Sequence, residues 1–160
     1  MSRIHVLERS QVIPLPRAEV FAFFADARNL EAITPHFLRF SILPPVPTLL
    51  DVGSRIDYRL SLFGIPFLWR TRIAAWQPGI RFVDVQERGP YALWHHTHTF
   101  ADVDGGTRVG DRVEYRLPLG PLGEVAHPIM VRRMLGRIFD HRAEQVARLL
   151  GAAPAPRRAA

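Results

Sequence analysis

The sequence predicts an α+β domain: a curved, seven-stranded antiparallel sheet wrapped around one long C-terminal helix, with two short helices after the first strand. Three observations predict it. Apolar residues alternate with a period of two through most of the chain, then switch to a helical period near residue 128. The alternating runs are joined mostly by short Gly/Pro/Asp turns, which only antiparallel neighbours allow. Such a sheet has one apolar face to cover, and a single long amphipathic helix is available to cover it.

Residues 4–13 read as the first strand, stopped by Pro14 and Pro16. Pro16 suits the first turn of a helix, and Arg17 to Ala25 then puts Val20, Phe21 and Phe24 on one face. Asp26 is an N-cap for a second short helix carrying Leu30 and Ile33, ended by Thr34-Pro35. Phe37 to Leu43 reads as a strand closed by Pro44-Pro45. Arg55 to Leu62 alternates cleanly, with Ile56, Tyr58, Leu60 and Leu62 on one side. Phe67 to Ile73 follows, setting Phe67, Trp69, Thr71 and Ile73 opposite Arg70 and Arg72; the same parity carries Trp76 outward or to the strand's end. Strands over Arg81–Arg88, Leu93–Asp102 and Thr107–Leu117 are separated by Gly89-Pro90 and by the hairpin turn Asp104-Gly105-Gly106. Residues 118–123 read as a rigid Pro/Gly loop. From Pro128 to Leu150 a helix carries Val131, Leu135, Ile138, Val146 and Leu149 near one stripe, with Gly151 as its stop. Residues 1–151 thus form one domain, and the Ala/Pro/Arg tail 152–160 reads as disordered.

Composition removes several chemistries. The 160 residues include no Cys, which excludes disulfides, thiol catalysis and Cys-ligated metal. No Lys is present either, so a Schiff-base or P-loop lysine is excluded. The formal charge of +6 is carried by arginines scattered from Arg3 to Arg158, without the clustering or motif of a nucleic-acid binder. No apolar run reaches the roughly 18 residues of a membrane span, and the N-terminus lacks a signal-peptide core. A cytoplasmic location is the expectation.

Strand parity then places chemistry inside. Trp94 and Phe100 must face inward, and His96 and His98 share their parity. Phe82 brings in Asp84 and Gln86; Val109, Val113, Tyr115 and Leu117 bring in Asp111. Short turns suggest pairing Phe82 with Phe100, Asp84 with His98, Gln86 with His96, and Asp111 with His98. The expectation is an Asp84–His98–Asp111 row bordered by His96 and Gln86 on the concave face. Flanking carboxylates would favour the imidazolium form of His98. Such a row serves as a buried network fixing strand register, as the polar floor of a ligand pocket, or as an acid–base site with His98 oriented by Asp84 and Asp111. His-x-His with a carboxylate is also a ligand set for zinc or ferrous iron. That pair alone is not distinctive, and no metal or cofactor is assigned on it. The outer face shows Arg59, Arg70, Arg72, Arg112 and Arg116, a solvated surface or a contact for acidic lipid or a protein partner.

Several stretches carry a family likeness: Asn29-Leu30-Glu31-Ala32-Ile33-Thr34-Pro35, Gly64-Ile65-Pro66, Phe82 to Gln86, Gly89-Pro90-Tyr91, Trp94 to Phe100, and Gly106-Thr107 followed by Asp111. The chain resembles the START-like, or SRPBCC, superfamily of helix-grip proteins. It is most similar to a bacterial subgroup labelled polyketide cyclase/dehydrase or cell-division inhibitor, which also occurs fused to sugar-nucleotide-epimerase-like domains. The resemblance implies a hydrophobic cavity between sheet and C-terminal helix. Binding of a small hydrophobic molecule, such as a lipid, quinone or polyketide-like aromatic, is then the first expectation. Its contacts would be Tyr58, Trp69, Asp84, Gln86, Tyr91, Trp94, His96, His98, Asp111, Val113, Tyr115, Leu135 and Ile138. A cyclase/dehydratase using His98, Asp84 and Asp111 is the alternative, and a non-catalytic interaction module the third.

Overall fold

The first strand of the chain pairs with the last. β1 (His5–Ile13) runs antiparallel to β7 (Gly106–Arg116) along its whole length, from His5 opposite Tyr115 to Ile13 opposite Thr107. Between them in sequence lie α1 (Arg17–Ala25), α2 (Leu30–Ile33), β2 (Ser41–Leu43), β3 (Arg55–Leu62), β4 (Ile65–Gln77), β5 (Arg81–Arg88) and β6 (Leu93–Val103). After β7 come α3 (Pro121–Ala126) and α4 (Arg132–Leu149). The computed structural model describes residues 3–126 and 130–151. All seven strands form one curved antiparallel sheet in the order β1-β7-β6-β5-β4-β3-β2, gripping α4 on its concave face.

α4 takes that place because of its stripe. Leu135, Phe139 and Val146 are buried at spacings of four and seven along the helix, with Ala147 buried beside Val146. Arg9 on β1 ties the helix down through Asp140, Nε to Oδ1 at 3.0 Å. Two apolar clusters share the inner face. One centres on Trp69, Trp94, Val113, Tyr115, Leu135 and Phe139. The other centres on Phe21, Ile73, Phe82, Phe100, Val109 and Val146.

Four local expectations are corrected. The stretch from Phe37 is extended only over Ser41–Leu43. Pro35 starts a tight turn over His36–Leu38, and Arg39 follows in the left-handed region at φ 46°, which breaks the strand. The expected loop 118–123 contains a helix instead. Leu119 and Gly120, both at positive φ, reverse the chain, and Pro121 then sits at the first helical position. Trp76 points inward, its ring 5.3 Å from Phe21 and 5.2 Å from Phe82. A bulge between Ile73 and Ala75 inserts Ala74 and inverts the parity beyond it. The β5–β6 pairing is displaced by two residues, with Phe82 opposite His98 and Asp84 opposite His96.

That displacement has a visible cause. The Gln86 carboxamide clasps Tyr91, donating from Nε2 to its carbonyl at 2.7 Å and accepting its N–H at 3.2 Å. Side-chain bonds replace the backbone ladder beyond Val85–His95 and centre the connection on Pro90. A two-residue displacement preserves parity, so every residue keeps its face. The expected His98–Asp111 pairing on the other side is present. The proposed start of the last helix at Pro128 and the tail 152–160 lie outside the described residues; its stop, Gly151, has φ 72°.

Candidate functional site

β6 carries His96 and His98 between Trp94 and Phe100 on the inner face, and both imidazoles are buried, 4% and 3% exposed. Alternation leaves them no other direction, because turning them out would expose Trp94 and Phe100. Asp84 arrives from β5 and Asp111 from β7. One oxygen of Asp111, Oδ1, lies 2.9 Å from His96 Nε2 and 3.1 Å from His98 Nδ1. One oxygen of Asp84, Oδ2, lies 2.7 Å from His98 Nε2 and 3.5 Å from His96 Nδ1. The two imidazoles face each other with centroids 3.8 Å apart. Phe82 stacks on His98 at 4.1 Å, and Phe139 meets His96 edge-on at 5.4 Å. The polar row thus separates the two apolar clusters of the core.

A fifth member comes from the helix. Arg142 of α4 brings Nη2 to 3.4 Å from His98 Nδ1 and 3.9 Å from Asp111 Oδ1. Its guanidinium lies over the rings of Phe24, at 5.4 Å, and Phe139, at 6.0 Å. The Nε of Arg142 is buried and has no hydrogen-bond partner among the described residues.

Burial pushes the Asp111 carboxyl up, but the Arg142 charge and the hydrogen bonds of His96 and His98 outweigh it and hold Asp111 well below the ordinary carboxylate range. Asp84 is lowered too: burial opposes ionisation, and the two imidazoles and Arg142 overcome it. The histidines diverge. Burial and the neighbouring His98 charge push His96 down. Burial acts against His98 as well, but its hydrogen bonds to Asp111 and Asp84 raise it above the ordinary imidazole value. Two charged rings would repel at this distance, so the opposite shifts favour charge on His98 over His96. With His98 cationic and His96 neutral, two carboxylates balance one imidazolium and one guanidinium. The buried row is then electrically neutral, which is what permits its burial.

Above the row lies a partly open cavity of about 190 Å³, bounded by the inner sheet face, α4 and the α1–α2 segment. Tyr58, Trp69, Asp84, Tyr91, Trp94, His96, His98, Leu135 and Ile138 all line it. Thr71 satisfies the two polar tips of the aromatic wall, taking Trp69 Nε1–H at 3.1 Å and meeting Tyr58 Oη at 2.9 Å. Burial pushes the phenols of Tyr58 and Tyr91 far up, so both stay protonated.

Four residues expected at the ligand do not line the cavity. Gln86 is consumed by its clasp on Tyr91. Asp111 lies behind the imidazoles that it holds. Val113 and Tyr115 are packed into the core beneath Trp94, 0% and 2% exposed. Conversely, Phe24, Phe139 and Arg142 line the cavity and were not expected at the ligand. Arg142 was legible in principle, since 135, 139, 142 and 146 form one helical stripe. Its charge argued for the solvent side.

The outer face is an array of ion pairs. Arg70 meets Asp57 at 2.7 Å, Arg55 and Arg72 share Glu87 at 2.7 and 2.9 Å, and Arg112 pairs with Glu8 and Glu114. No helix among the described residues is long and apolar enough to cross a membrane.

Solved structures share this architecture. Protein CV1439 from Chromobacterium violaceum superposes with a TM-score of 0.70 at 16% identity, covering 92% of this chain and 98% of that one. Ara h 8.0201 matches with a TM-score of 0.59 at 14% identity, over 91% and 99% of the two chains. The nucleoside-diphosphate sugar epimerase from Corynebacterium glutamicum matches at 26% identity and a TM-score of 0.65. There 91% of this chain corresponds to 29% of that one. No curated protein is significantly similar in sequence. The family model for polyketide cyclase/dehydrase and lipid transport matches residues 13–143, which takes in β2 to β7 and most of the helix the sheet grips. On that match, with a seven-stranded antiparallel sheet gripping α4, the chain belongs to the polyketide cyclase/dehydrase and lipid transport family.

Proposed function

We propose that residues 1–151 form a single domain that binds one small, largely apolar molecule carrying an oxygen function. The observation that carries this reading is the cavity itself: an apolar hollow, rich in aromatic rings, whose polar wall is formed by Asp84, His96, His98 and Arg142. An apolar cavity of roughly 150 Å³ holds benzene. A volume of about 190 Å³ therefore suits one or two fused rings, or an acyl segment of similar bulk, without rearrangement. Rings would lie against Trp69, Tyr91 and Trp94. The oxygen would accept from Arg142, whose buried Nε–H has a hydrogen bond to give. At ~0.7 kcal/mol per atom, a ligand of about twelve heavy atoms binds near micromolar.

The family's two named roles, lipid transport and cyclase/dehydrase chemistry, leave a catalytic reading beside this one. In it His98 is the general acid and Asp84 and Asp111 hold it. Both ring nitrogens of His98 already face carboxylates at 2.7 and 3.1 Å, which favours binding over proton delivery. The ion-paired outer face weighs likewise against lipid docking there as the main role.

Quenching of Trp69 and Trp94 fluorescence by 2-naphthoic acid tests the reading. Saturable, equimolar quenching at micromolar concentrations supports it. Arg142→Leu weakening the acid about tenfold or more, and naphthalene little, assigns the oxygen's partner. Absence of quenching by either compound removes the proposal.

A further inference from the structure

Three donor atoms converge at the floor of the cavity from two adjacent strands. The ligating atoms of Asp84, His96 and His98 all lie within 4.8 Å of one another. His96 turns Nδ1, and His98 turns Nε2, toward the same Asp84 Oδ2, at 3.5 and 2.7 Å. The opposite nitrogens of both rings go to a single oxygen of Asp111, at 2.9 and 3.1 Å. This is how metal-ligating imidazoles are held, with the outer N–H on a carboxylate and the inner lone pair directed at the ion. Arg142, with Nη2 3.9 Å from Asp111 Oδ1, balances its charge.

His98 Nε2 is hydrogen-bonded to Asp84 Oδ2 at 2.7 Å, and His96 Nδ1 stands 3.5 Å from the same oxygen. An ion held there would take the place of the proton in that hydrogen bond. Asp84, His96 and His98 all line the cavity, and Asp111 does not. An ion held by the three would have its remaining positions turned toward the cavity.

We propose that Asp84, His96 and His98 bind one divalent first-row transition-metal ion of the zinc or ferrous type, with Asp111 as the positioning residue for both imidazoles. Two imidazoles and a carboxylate suit these ions and disfavour magnesium and calcium, which take oxygen ligands. The charges of Asp84, Asp111 and Arg142 sum to minus one with both histidines neutral. A divalent ion makes the site plus one, which complements an anionic oxygen entering from the cavity. This inference stands apart from hydrophobic-ligand binding, since the ion needs no second ligand to be held.

The test is titration of chelator-treated full-length protein with Co(II), followed by calorimetry and by the visible absorption of bound cobalt. One ion per chain, displaced by Zn(II), is expected. His98→Gln and Asp84→Asn, with folding checked by circular dichroism, should each lower affinity at least about 100-fold. Asp111→Asn should lower it about 10- to 100-fold and shift the cobalt band, as loss of the carboxylate that orients the ligating imidazoles does. His95→Gln, on the opposite face of β6, should change nothing. A folded wild-type protein without saturable cobalt binding overturns the proposal, as does equal loss in His95→Gln and His98→Gln. Retained naphthoate quenching without cobalt binding overturns the metal site alone; cobalt binding without quenching overturns only the hydrophobic-ligand reading.

Discussion

Asp111 carries more of the site than its distance from the cavity suggests. Its carboxylate faces two imidazoles and a guanidinium, and it is 13% exposed. Removing one partner of such a buried set leaves the others uncompensated, so Asp111→Ala should cost about 3–5 kcal/mol, read from urea unfolding. The pH dependence has a definite sign. Asp84 and Asp111 are both lowered in the fold. Their stabilisation is complete above the unfolded value, about 3.9, and is lost as pH falls toward the depressed folded values. Chelator-treated protein should therefore lose thermal stability steeply below about pH 4, and Asp111→Asn should flatten that loss. His96 and His98 shift in opposite directions, so their effects oppose one another near pH 6.5. An acid limb equally steep in Asp111→Asn would contradict this electrostatic assignment. At this scale the sequence was informative about faces and silent about partners. Period-two alternation put Asp84, His96, His98 and Asp111 inside. It had no means of showing that Gln86 bonds to the Tyr91 backbone.

At the scale of elements, α4 is both lid and wall. Phe139 packs edge-on to His96, under the Arg142 guanidinium, and lines the cavity. Phe139→Ala should cost about 3–5 kcal/mol in unfolding free energy. If the neighbours do not collapse, the same variant should accept a three-ring aromatic acid that the wild type excludes. Tight binding of that acid by the wild type would show that the volume is misjudged. Strands and α4 were legible because each has a sustained period and a punctuated end. α3 was hidden by Pro118, Gly120, Pro121 and Gly123, which read as loop residues although Pro121 also opens helices. Trp76 was hidden by one inserted residue, Ala74, because a bulge inverts parity without any change in composition. Arg142 was hidden by the general rule that charge faces water, which fails where a carboxylate waits inside.

The molecule as a whole keeps its charges apart by function. The convex face neutralises arginine with surface carboxylates, and such exposed pairs add little stability individually. The concave face holds a buried row of paired ionisable groups between two apolar clusters, beneath the cavity. Sheet and helix could be assembled from sequence because parity survives a two-residue register error. Much of the cavity wall was read with them, from Tyr58 to Ile138, but Arg142 and Phe24 were not, since they come from helices whose approach to the sheet only tertiary packing sets.

The most direct test of the central claim is native mass spectrometry of the purified protein incubated with 2-naphthoic acid, alongside Ile138→Trp, which fills the cavity from α4. The account predicts one adduct per chain in the wild type and none in the folded variant. Equal adducts in both, or none in the wild type, would contradict a binding site between sheet and helix.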